Sequence, residues 1–389
     1  MQKNVGKRKN ILSMGFASLF TDMSTEMIVS ILPVFITSVL GAPKAVLGLI
    51  EGLAEATSSI LKYISGKLSD KSGKRKPFIV GGYSLSAISK PLLALANNWQ
   101  IVLLLRFTER SGKGLRTSAR DALLAESGGK QKRGRSFGFH RAMDNLGAGL
   151  GALSAFFLLK YGTAYSTLFI LSFIPAFIAV IILLIGLKEI HQNEEITSEV
   201  ETVQSSSQFK KFLLVIFIFS LANISYAFFL TRANEIGMKA YLIPIMYLIY
   251  QLVGAIFAYP IGKLSDKIGC KTFLQIAFGI FTLTSLLFGI IDKVWMIPLL
   301  FLLYGCFFAI YDTISRIMVS GYANKKKMGG TYGSFHTLIG LTALPVNILA
   351  GYIWDNYSAG VLFTFASGIS ILALILTVPL IRGKKIVRG

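Results

Sequence analysis

Charge is scarce in this sequence, and negative charge is scarcer still. Charged side chains make up 15% of the chain, where a soluble globular protein carries about 25%. Only 19 residues are acidic, against 40 lysines and arginines. So few charges cannot cover a water-facing surface, and an ordinary soluble domain is excluded. Cysteine is nearly absent: Cys270 lies in a basic stretch and Cys306 in an apolar run, which fits neither a disulfide framework nor metal-ligand spacing. The chain has no Ser/His/Asp arrangement of a hydrolase and no Walker-type phosphate loop. A lipid-acting enzyme and an ATP-driven pump are therefore not expected, and neither is a cofactor or a metal. An output module, which a membrane receptor would need, is also missing.

What the chain does have is apolar length. Hydrophobic residues make up 53%, and the mean hydropathy is +0.62. Crossing the hydrocarbon core takes about 20 mainly apolar residues in a helix. Twelve stretches qualify, near 12–40, 45–66, 77–96, 100–122, 135–160, 164–187, 211–235, 240–262, 271–291, 295–320, 329–353 and 359–381. All are expected to be helices, because an open strand edge is unsatisfied in lipid. The fold class is an all-α membrane protein with twelve transmembrane helices.

The formal net charge of +21 sits mostly in the breaks between these stretches. That pattern differs from the single basic face of a nucleic-acid-binding domain, so no nucleic-acid partner is expected. The breaks alternate between strongly basic (the N-terminus, 67–76, 116–135, 263–271, 325–327, 382–388) and poor in Lys and Arg (41–44, 97–100, 160–164, 292–294, 355–359). Lys and Arg mark cytoplasmic loops, which puts both termini in the cytoplasm of a multi-pass plasma (inner) membrane protein. Residues 232–239 fit least well, since they place charge outside. The N-terminal "MQKNVGKRKN" leads into an apolar run without a small-residue cleavage site, and an uncleaved first helix is expected.

A phrase recurs. "GKLSDK" begins at Gly66 and again at Gly262, 196 positions later. The same offset links Trp99 to Trp295, Arg120 to Arg316 and His140 to His336. Two internal repeats of six spans each follow, in the same orientation, as in carriers whose halves are related by an axis along the membrane normal. The expected domains are a six-helix bundle over 1–187, a polar Glu- and Ser-rich cytoplasmic linker over 188–210 that includes His191, and a second bundle over 211–389.

Gly66, Leu68, Asp70, Lys71, Gly73, Lys74 and Arg75 resemble the loop signature of the major facilitator superfamily, between helices two and three. A second copy at Gly262 and Asp266 falls between helices eight and nine and degrades after Gly269. "RFTERSG" from Arg106 resembles the family's helix-four signature, with Glu109 where Gln is frequent and Arg110 where Gly is. "ERSGKGLRTSARDAL" and "FGFHRAMD" are similar to a group of prokaryotic permeases of mostly unassigned substrate, some linked with siderophore traffic. The resemblance implies a secondary transporter, coupled to protons, that works by alternating access on a small-molecule substrate, as a monomer in the lipid bilayer. Asp70 pairing with Arg75 or with a helix N-terminus would form a gating latch. Proton-driven efflux of drugs or amphipathic metabolites is the alternative. The Gly147–Gly151 run lacks the Pro that typifies helix five in the family's drug antiporters, although its small residues permit close helix packing.

Ionisable residues inside spans point to function, and the first half holds most of them. Asp22 and Glu26 on helix one, and Glu51 and Glu55 on helix two, are i,i+4 pairs. Arg106, Arg110, Lys113, Arg116 and Arg120 fall along one stripe of helix four, about 21 Å long at 1.5 Å per residue. Arg116 and Arg120 are expected at headgroup level. Helix five adds Arg141 and Asp144. The resemblance places helices one and four at the central cavity. The stripe then reads either as a lane for an anion, with Asp22, Glu26, Glu109 and Asp144 neutralising it when empty, or as a salt-bridge network tying the helices together. His140 beside Arg141 and Asp144 reads as a proton relay or as a structural histidine. In the second half, Tyr226 and Tyr311, together with Asn223, Tyr250, Gln251 and Tyr304, offer aromatic and hydrogen-bonding contact. Asp312 and Arg316 form an i,i+4 pair there.

Overall fold

A computed structural model describes residues 2–189, 207–322 and 328–381. The bulk of the expected linker, 190–206 with His191, and the basic residues 325–327 and 382–388 lie outside them. Among the described residues the chain is helical, with no strand. Twelve main helices follow in order: α1 Gln2–Val29, α2 Lys44–Ser72, α3 Lys76–Leu92, α4 Trp99–Lys160, α5 Tyr165–Gly186, α6 Ser207–Ser220, α7 Tyr226–Glu235, α8 Ile243–Ile268, α9 Cys270–Ile290, α10 Ile297–Tyr322, α11 Met328–Asn356 and α12 Ala359–Leu380.

The sequence placed the fourth and fifth spans in separate helices joined by a basic loop over 116–135. The structure instead keeps this stretch helical inside α4, whose 62 residues include no proline to interrupt them. A straight helix of that length would reach roughly 93 Å, about three bilayer cores. The contacts show that it reverses. Arg106 lines a cavity with Thr25 of α1, whereas further along Gly147 abuts Leu19 and Gly151 abuts Met23. The later arm therefore runs parallel to α1 and the earlier arm antiparallel to it. A Cβ at Gly147 or Gly151 would lie 2.1 or 2.3 Å from the Leu19 or Met23 carbonyl oxygen. Only glycine lets these backbones meet.

The seventh span, expected as one helix over 211–235, is broken into α6 and α7. Between them Ile224 N–H turns back to the Ala222 carbonyl, and Ser225 N–H donates to Asn347 Oδ1 at 2.8 Å. The first span breaks too. After Val29 the chain passes through a turn into Leu32–Val34 and a π-helical turn, Phe35–Val39, with Pro33 in the short segment. The helices resume at Leu32 and at Tyr226, 194 positions apart, so the two breaks adjoin in the repeat register without overlapping.

Nine helical stretches among the described residues are long and apolar enough to cross a membrane. The three expected spans outside that set are those near 45–66, with Glu51, Glu55 and Lys62, and near 100–122, with Arg106, Glu109, Arg110, Lys113, Arg116, Arg120 and Asp121, and the seventh, split between α6 and α7. Charge lowers the hydropathy of the first two, and the break leaves α6 and α7 at 14 and 10 residues, each too short to cross alone.

The chain forms two compact units. Unit 1 holds Met1–Gly41, Leu53–Glu199 and Ala240–Ile245; unit 2 holds Ala42–Gly52, Val200–Lys239 and Met246–Gly389. In unit 1, Met14, Ala17, Ile79, Tyr83, Leu123 and Leu183 form one buried cluster from α1, α3, α4 and α5. Unit 2 is packed by rings, with Phe219 stacked on Phe278 at 4.2 Å and Phe229 edge-on to Phe288 at 5.0 Å. The first turns of α2 belong to unit 2. There the Lys44 and Ala45 N–H groups donate to the Asp355 carboxylate at 2.9 and 2.8 Å, and Lys44 pairs with Glu235 at 3.0 Å.

Candidate functional site

The stripe on α4 faces the interior of unit 1. Arg106 is 2% exposed, and its Nη1 donates to Glu109 Oε2 at 3.0 Å. Arg110 Nε lies 3.3 Å from the same oxygen, within ion-pair distance. One carboxylate thus serves two guanidinium groups, and its Oε1 has no hydrogen-bond partner among the described residues. Ser86 of α3 donates to the Glu109 carbonyl, which fixes this turn against the neighbouring helix.

Arg116 is buried. Its guanidinium lies 4.3 Å from the Tyr83 ring centroid, a cation–π contact strengthened by removal from water. Its Nε and Nη1 have no hydrogen-bond partner among the described residues. Lys113 and Arg120 are half-buried, and Arg120 Nε and Nη2 both donate to the adjacent Asp121.

On the other arm of α4, His140 is buried and its Nδ1 lies 3.3 Å from Asp144 Oδ2. Ser18 of α1 donates to the second oxygen of Asp144. Arg141 is exposed. The repeat partner of His140, His336, is exposed, and the two histidines have diverged in setting. Asp22 and Glu26 are half-buried on α1. The α2 acids part company: Glu51 is buried in unit 2 and accepts from Ser225 at 3.3 Å, while Glu55 is exposed in unit 1.

Lys90 was missed. It is 2% exposed in α3 and lines a cavity of about 10 Å³ with Thr25, Ser89, Arg106 and Glu109, room for roughly one water. It stands next to Pro91 near the end of an apolar stretch, where a lysine normally reads as an interfacial anchor. The default reading of any intramembrane charge as functional would have found it.

At the end of unit 1 bearing the loop signature, Asp70 sits 2.5 Å from Arg75 Nη1, and Arg75 also donates to Ser69 and reaches Glu126 at 3.5 Å. Glu189, not singled out in the sequence, accepts the Arg75 and Lys76 N–H groups and caps α3, a favourable place for a carboxylate. Glu126 lies between the expected spans. Burial pushes its carboxyl above the usual range, the Arg75 guanidinium opposes this only in part, and Glu189 and Asp70 add to the rise. Gly66 is half-buried and Lys71 exposed. Gly73 and Gly269 occupy the same repeat position and both take positive φ, +63° and +102°, which explains glycine in each copy. In the second copy, from Gly262, Asp266 is exposed and Lys271 donates to the Val378 carbonyl.

In unit 2, Tyr226 packs its ring 5.3 Å from Tyr247 and 6.1 Å from Tyr250, and Tyr250 meets Tyr304 at 5.3 Å. Gln251 donates to the Tyr247 hydroxyl. Tyr311 is buried against Phe219 and Phe307, inside the ring-packed core. Asp312 and Arg316 pair at 2.9 Å.

A broken spanning helix in each of two repeats, with buried charge beside one break, defines a membrane carrier. The sequence model of the Major Facilitator Superfamily matches residues 14–291 and 212–387, and the chain belongs to that family. An uncharacterized MFS-type transporter of Methanocaldococcus jannaschii is 38% identical over 373 residues, 94% of this chain and 93% of that protein. The multidrug resistance protein MdtH of Aeromonas salmonicida is 24% identical over 270 residues, 69% and 67% of the two chains. A variant of the nucleoside transporter NupG superposes with a TM-score of 0.84 at 13% identity, over 96% of this chain and all of that one; this likeness concerns the fold alone. The protein is a multi-pass membrane transporter of small molecules and not an enzyme.

Proposed function

We propose that this transporter moves a small organic anion across the plasma membrane by alternating access, with protons as the coupling ion. One observation carries the reading. Within unit 1, Lys90, Arg106, Arg110 and Arg116 are buried, while Glu109 is the only carboxylate buried to the same degree among its described residues. Buried charge demands compensation, and an anionic solute supplies it. Half-buried Asp22, Glu26 and Asp144, with His140 against Asp144, are the groups that exchange the coupling proton. Polycarboxylate metal chelates of the siderophore kind fall within this substrate class. The chain acts as a monomer with both termini cytoplasmic, and Asp70 and Arg75 form its latch.

A second reading, efflux of aromatic amphiphiles, draws on the tyrosine cluster around Tyr226 and on the similarity to MdtH.

The test uses a panel of mono-, di- and tricarboxylates, citrate among them, against purified protein and its Arg106→Lys and Arg110→Lys variants. Lysine keeps the charge and loses the planar fork. Carboxylate affinity is expected to fall by about 5- to 150-fold, equivalent to ~1–3 kcal/mol for a charged hydrogen bond, with the ligand-free melting temperature little changed. Lowered melting temperatures with unchanged affinity would reassign the arginines to packing.

A further inference from the structure

The Lys90 ammonium has three protons to donate, and the structure gives it three oxygens. Ser24 Oγ and Thr25 Oγ1 lie at 2.9 Å and the Thr21 carbonyl at 3.3 Å, all on α1. The hydroxyl protons point elsewhere. Thr25 donates to the Thr21 carbonyl at 2.8 Å, and Ser24 donates to the Ser172 carbonyl of α5 at 2.5 Å. Both hydroxyl oxygens are therefore committed as acceptors toward Lys90, and the Ser24 bond ties the cage to a third helix. No ammonium proton is left for Glu109, which lines the same cavity and whose Oε2 is taken by Arg106 and Arg110.

We propose that Thr21, Ser24 and Thr25 form a monovalent-cation site that the Lys90 ammonium fills, a cation tethered to the chain where other sites take one from solution. The geometry selects an ammonium ion. Its two N···O separations of 2.9 Å match N–H···O hydrogen bonds of ~2.7–3.2 Å, and the third, 3.3 Å, lies just beyond them. All three exceed the ~2.3–2.6 Å of calcium and the ~2.0–2.1 Å of magnesium to oxygen. A one-carbonyl, two-hydroxyl cage carries no charge of its own, so it holds a single positive charge and no more. This assignment is independent of the solute that is carried.

Chemical rescue tests it. Lys90→Ala removes three carbons and the ammonium, and n-propylammonium replaces exactly those atoms. The Lys90→Ala protein, extracted and purified with or without propylammonium, is expected to melt well below wild type, and propylammonium should restore most of the loss saturably. 1-Propanol, which fills the same volume without charge, should not. Lys90→Met fills the volume permanently and should melt low whether or not propylammonium is present. Equal rescue by propanol, or a Lys90→Met protein as stable as wild type, overturns the proposal. If Lys90→Ala does not fold, Ser24→Ala and Thr25→Val, each removing one acceptor while Lys90 stays, carry the test. Each should lower the melting temperature, and wild-type stability in both would overturn the assignment.

Discussion

Replacing Glu109 by Gln probes the energetics of the buried stripe most directly. The change keeps the shape and removes the one charge that Arg106 and Arg110 share. At the observed 3.0 Å and an effective dielectric of ~20, one such pair is worth about 5–6 kcal/mol of Coulomb energy. The 3.3 Å contact to Arg110 adds a similar amount. Desolvation of the three groups offsets much of this, and removing one partner of a buried ion pair costs ~3–5 kcal/mol in measured cases. Glu109→Gln should therefore destabilise the protein by about that amount, near the top of the range for single substitutions. The assay is equilibrium unfolding in mixed micelles. Combining Glu109→Gln with Arg106→Gln removes the stranded cation as well, and the double variant should lose less than the sum of the two singles, as coupled neighbours do. A Glu109→Gln protein within ~0.5 kcal/mol of wild type, the usual effect of surface changes, would refute the view that Arg106 and Arg110 depend on this carboxylate.

Two further outcomes follow from the loop-signature end of unit 1. Asp70→Asn removes the acid 2.5 Å from Arg75; transport in proteoliposomes should slow strongly while solute affinity changes much less, and wild-type rates would reject the latch. For Glu126, the folded protein holds the proton more tightly than the unfolded chain does, because burial raises the carboxyl. Stability should then fall as pH rises from the ordinary carboxylate range through the raised one. Glu126→Gln should remove that decline and leave acid stability unchanged, as read by melting temperature against pH.

Much of the architecture was legible because it is written in periods. The 196-residue repeat needs only matched phrases, and the apolar stretches need only length. The loop signature states its own geometry, since a glycine at Gly73 and at Gly269 reports a backbone turn that other residues resist. What was hidden depends on which neighbour a side chain meets. The burial of Arg116 rests on Tyr83 from a different helix, a partner no spacing rule identifies. Lys90 went unread because its three oxygen partners lie 65 to 69 positions away in the chain. The capping of α3 by Glu189 spans more than a hundred residues. The helical state of residues 116–135 went unread for the opposite reason: this basic stretch was taken for a loop, although Lys, Arg, Ala and Leu are all good helix formers.

The paired breaks, after Val29 and before Tyr226, carry a consequence for how such a carrier diversifies. An interrupted helix frees main-chain donors and acceptors deep in the bundle, and these polar groups are present whatever side chains surround them. Each half of this chain carries one such place. The lining of each copy can then drift separately, toward arginine and lysine in one and toward tyrosine in the other, while the backbone irregularity persists in both. New solutes can be recruited by exchanging a few side chains around a fixed interruption, with no need to reinvent the scaffold.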